Sequence, residues 1–95
     1  MADWTDKYRS EVDRLMKMLL DGKRTYAEVA ASERPCVTAL IWCRLNGASQ
    51  QGLSVALEED QATVSRVLAG KRACGASLRS AFRRECKIPE HLWDK

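Results

Sequence analysis

Apolar side chains in this chain recur every three or four residues, in short stretches that open near a Ser, Thr or Asp and close near a Gly. That is a helical period, because residues three and four apart share one face of an α-helix whereas alternate residues share one face of a strand. Alternation of apolar and polar residues never lasts beyond a few positions, and no β-branched run occurs, so strands find no support. The expected fold class is therefore all-α, built of short helices with tight connections. A chain of 95 residues has room for one small core and one helix outside it.

Asp3 is expected to cap a first helix reaching about Leu20, and Asp21-Gly22 to end it. Along it Trp4, Tyr8, Val12, Leu15 and Leu19 form an apolar stripe whose last four members step by 4, 3 and 4. Such a stripe either docks on its own domain or meets a second subunit. The remaining helices are expected to start at Thr25, at Ser32 with Pro35 in the first turn, at Ser49, at Asp60 and at Ala76-Ser77. Their stops fall at Asn46-Gly47, near Leu57, at Gly70 and near Cys86, with a last turn in KIPEHLW. Val37, Leu40, Ile41, Trp42 and Leu45 cover most of one helix's circumference, which marks it as the central core element. The expected organisation is an N-terminal amphipathic helix, residues 1–24, beside a domain spanning residues 25–95.

Composition removes several function classes. No run approaches the ~18 apolar residues needed to cross a bilayer, and MADWTDKYRSEVD is charged where a signal peptide is apolar, so a cytoplasmic protein with no membrane partner is expected. In that compartment Cys36, Cys43, Cys74 and Cys86 are reduced thiols, and their spacing lacks the short C-x₂₋₄-C knuckle of a zinc site. No metal and no cofactor are expected. A single His, no glycine-rich phosphate loop and no clustered acids argue against an enzyme or a small-molecule substrate.

The charge is uneven. Residues 64–87 hold Arg66, Lys71, Arg72, Arg79, Arg83, Arg84 and Lys87 against Glu85 alone, in a chain of net charge +3. A basic half on a near-neutral body suits a polyanion. Within residues 49–72, SQQGLSVALEEDQATVSRVLAGKR, the apolar sets Leu53/Ala56/Leu57 and Val64/Val67/Leu68 allow two short helices to meet across a turn at Glu58 to Asp60. Gln61, Ala62, Thr63, Ser65 and Arg66 are then left on the outer side of the second helix. An outer face that is small and polar first and basic later suits a major groove ~12 Å wide.

This run resembles the helix-turn-helix of the Cro and lambda-repressor (XRE) family. Ser49-Gln50 stands at that pattern's opening Ser/Thr-Gln, Leu53 at its Leu, Asp60 at the second-helix cap, Val64-Ser65 at its Val/Ile-Ser and Gly70-Lys71 at its closing Gly-Lys/Arg. The likeness extends over about residues 34–93, and the departures are Ser54 for Ala and Glu58-Glu59 where Gly and an aliphatic residue are common. The resemblance implies a lambda-repressor-like domain of about five short helices plus the N-terminal one. It also implies a transcriptional regulator, most simply a repressor of phage or plasmid type, that binds operator DNA through residues 61–69.

By the same resemblance Gln50 bonds a phosphate and braces Gln61, Gln61 reads a base edge, Ala62 touches a thymine methyl and Arg66 forks onto guanine. Thr63, Ser65, Lys71 and Arg72 are assigned to the DNA backbone, whose contacts set register without reading sequence. Arg79, Arg83 and Arg84 are read as a solvated face. A single reading head buries little surface, so a homodimer on a palindromic site is expected, paired through Trp4, Tyr8, Val12, Leu15 and Leu19 or through Ile88, Leu92 and Trp93. The alternative is a protein-binding module, an inhibitor or antitoxin-like partner, that reuses the fold without touching DNA.

Overall fold

A computed structural model describes residues 4–94, Trp4 by its backbone only, so the expected cap at Asp3 lies outside the described residues. These residues form six α-helices, a closing 3-10 turn and no strand: α1 Trp4–Leu20, α2 Tyr26–Ser32, α3 Pro35–Asn46, α4 Gln50–Leu57, α5 Gln61–Leu68 and α6 Ala76–Cys86, then Glu90–Asp94.

Local chemistry sets most of the ends. Thr25 and Glu28 form a reciprocal capping box at α2, each side chain accepting from the other's backbone N–H at 3.2 Å. Gly22 and Gly47 take φ of +74° and +61°, the left-handed turn that ends α1 and α3. Ser32 does not start α3 as expected. It lies within α2, its hydroxyl donating to the Glu28 carbonyl at 2.8 Å, and Arg34 occupies the N-cap position. The cause is Pro35, whose ring drives the preceding residue into extended backbone, here φ −60° and ψ 140° at Arg34.

The core is one cluster running from Val12 to Leu92, with α3 at its centre and α1, α2, α4 and α6 packed around it. Val37, Ala39 and Ile41 are buried, Leu40 and Trp42 partly so, and Leu45 is left exposed. A helix that is apolar on nearly every side needs cover on nearly every side. The surface of α3 that the later helices leave open is closed by α1, whose Val12 and Leu15 are 1 % and 0 % exposed.

That packing corrects one expectation. Helix α1 is part of the core and not an addition outside it. Val12 and Leu15 are buried in the protein's own interior, with Tyr8 and Leu19 partly buried beside them. In the C-terminal segment Ile88 and Leu92 are buried, and the half-buried Trp93 ring lies 4.8 Å from that of Phe82.

Candidate nucleic-acid interface

Helices α4 and α5 present the surface to which the sequence directs attention. The Ser49 hydroxyl accepts from the Gly52 N–H at 3.2 Å and starts α4, and Leu53 and Leu57 anchor its inner side. The helix stops at Glu58, which sits at φ 58° and ψ 41° with its N–H donating to the Val55 carbonyl. Asp60 resumes helical structure, its carboxylate accepting from the Thr63 N–H at 3.2 Å. The acid neutralises the positive end of α5 and satisfies one of its free amides. The three acids thus form the turn, one ending α4 and another starting α5.

Along α5 the two sides differ sharply. Val64, Val67 and Leu68 are buried, whereas Gln61, Ala62 and Arg66 are exposed and Thr63 and Ser65 half-buried at the boundary. Lys71 and Arg72 follow in exposed positions beyond Gly70, which turns the chain at φ +79°. The structure therefore gathers Gln61, Ala62, Arg66, Lys71 and Arg72 on the solvent side of one segment. Gln50 lies half-buried at the first turn of α4, and among the described residues no hydrogen bond joins it to Gln61.

The bases divide into two groups by their partners. Those of α6 are engaged: Arg79 with Asp94 at 2.6 Å, Arg83 with Glu90 at 3.6 Å, and Arg84 with Glu85 at 3.3 Å and Glu58 at 3.9 Å. Among the described residues Arg66 and Lys71 have no acidic partner, and Arg72 reaches only the Thr63 hydroxyl at 3.5 Å. Among the described residues the cations near α5 without an acidic partner are thus those on its exposed side and in the loop after it. The Glu58 contact also draws that acid toward α6, a pairing that sequence spacing does not reveal.

The cysteines stand apart from this surface. All four are free and buried, and burial pushes the thiols of Cys43 and Cys74 up to about 11 and that of Cys86 to about 12. They are neutral at ordinary pH and so poor nucleophiles and poor metal ligands. Among the described residues no three His, Cys, Asp or Glu side chains gather where they could hold a metal ion. No described helix is long and apolar enough to cross a membrane.

Neither a protein-family model, nor a curated protein, nor a solved structure matches this chain.

Proposed function

We propose that the protein is a sequence-specific DNA-binding regulator of the helix-turn-helix type, similar to the Cro and lambda-repressor family, with α5 as its recognition helix. The observation that carries this reading is the division of α5 into a buried apolar side and an exposed side bearing Gln61, Ala62 and Arg66. At eight residues α5 is about 12 Å long, so it enters a major groove end-first and offers its early residues to base edges. Gln61 pairs naturally with adenine and Arg66 with guanine, while Lys71 and Arg72 meet phosphates.

Two copies reading half-sites about 34 Å apart bind a palindromic operator more tightly than one. A protein-binding module would instead carry bulky apolar or acidic groups on the outer side of α5, where Ala62 is the one exposed apolar residue of the helix.

Selection of bound sequences from random duplex DNA tests the proposal. The expected outcome is one enriched site, bound less tightly as salt rises because phosphate contacts release counterions. On that site Arg66→Ala should remove about 1–3 kcal/mol of preference at one base pair, and Lys71→Ala should weaken all duplexes alike. No enrichment, together with salt-independent binding to a protein partner, would establish the protein-module reading.

A further inference from the structure

Behind the reading segment lies an open cavity of about 730 Å³, a size typical of small-ligand sites. It is bounded by the end of α5 and the loop after it on one side, and by the start of α3 and the C-terminal turn on the other. Its apolar walls include Val67, Leu68 and the Trp93 ring, and its bases are Arg34, Lys71 and Arg72. None of these three bases has an acidic partner among the described residues. The acid that lines the cavity, Glu33, is held at 2.9 Å by Arg24 and so does not neutralise them. Arg34 is also the N-cap of the 12-residue α3 and supplies no side-chain acceptor to its first amides, so the positive end of that helix adds to the same field.

A lining that is apolar in part, with the Trp93 ring on it, and that carries uncompensated positive charge fits a molecule with an apolar body and a negative end. We propose that this cavity binds a small amphipathic anion, a carboxylate on an aromatic or short aliphatic body, and that its occupation turns Lys71 and Arg72 away from DNA. The first half stands on the cavity alone, and the second rests on the DNA-binding reading above. A carboxylate held by Arg34 and Lys71 sits on the loop that follows α5, and the phosphate contacts assigned to that loop weaken when its bases are engaged.

The full chain, ¹⁵N-labelled and without DNA, is titrated with sodium 1-naphthoate and separately with 1-naphthylmethylamine, an apolar body of similar size with a positive end. Naphthoate should shift the amides from Leu68 to Cys74 and the Trp93 indole in a saturable way, and the amine should not. Arg34→Ala and Lys71→Ala should each weaken naphthoate roughly tenfold, as expected for one charge-assisted hydrogen bond. Both side chains are exposed, so the variants keep the fold, which unchanged spectral dispersion checks. Equal binding of the two probes, no binding of naphthoate, or binding untouched by both substitutions would overturn the site.

In a second arm, naphthoate at saturation should lower affinity for the selected duplex severalfold. Unchanged affinity would overturn the regulatory half and leave the site standing. If no duplex binds at all, the DNA-free titration still decides the cavity.

Discussion

Glu58 shows how one position answers to several demands. Its φ of 58° and ψ of 41° place a side chain in the left-handed region, which a non-glycine residue occupies at a cost of about 1 kcal/mol. The exposed contact with Arg84 at 3.9 Å offsets little of this, because such pairs contribute about 0–1 kcal/mol. Glu58→Gly is therefore expected to raise the unfolding free energy by up to about 1 kcal/mol, measured as a higher urea midpoint at unchanged slope. An unchanged or lower midpoint would show that the Glu58 side chain contributes more than its exposure suggests. The identity of the acid was readable from sequence as a departure from the expected turn, but its partner Arg84 was not, since nothing in the spacing connects them.

Among the elements, the helix limits were the most legible part, because caps act over three or four residues. Thr25 with Glu28, Ser49, Asp60 and the glycines at 22, 47 and 70 each work where local chemistry places them. Ser32 misled because the proline rule at Arg34 outweighed its capping preference. The role of α1 was beyond local reasoning: its stripe fits a partner subunit and its own core equally well, and only the open side of α3 shows why Val12 and Leu15 are buried within the protein. Leu15 is 0 % exposed, so Leu15→Ala is expected to destabilise the protein by about 2–5 kcal/mol with its oligomeric state unchanged. Denaturant unfolding together with analytical ultracentrifugation checks this, and a change of subunit number at constant stability would restore the stripe to an interface.

At the level of the entire molecule, burial of the thiols couples stability to alkaline pH. An unfolded chain ionises its cysteines near the ordinary 9.0, whereas in the fold Cys43 and Cys74 wait until about 11 and Cys86 until about 12. Between those values the unfolded state binds fewer protons than the native one, so stability falls as pH rises. The urea midpoint should show no thiol contribution below pH 9.0 and a decline above it that Cys86→Ala makes shallower. A decline of the same steepness in the variant would assign the loss to other groups.

Helical period, cap chemistry and the two-sided pattern of residues 61–68 are short-range properties. They were complete in the order of the amino acids, because each depends on neighbours within about one turn. Which apolar stripe serves the core, which bases keep their charge free and where a cavity opens depend on residues far apart in the chain. Only the packing of α1 and α6 onto the rest brings those residues together.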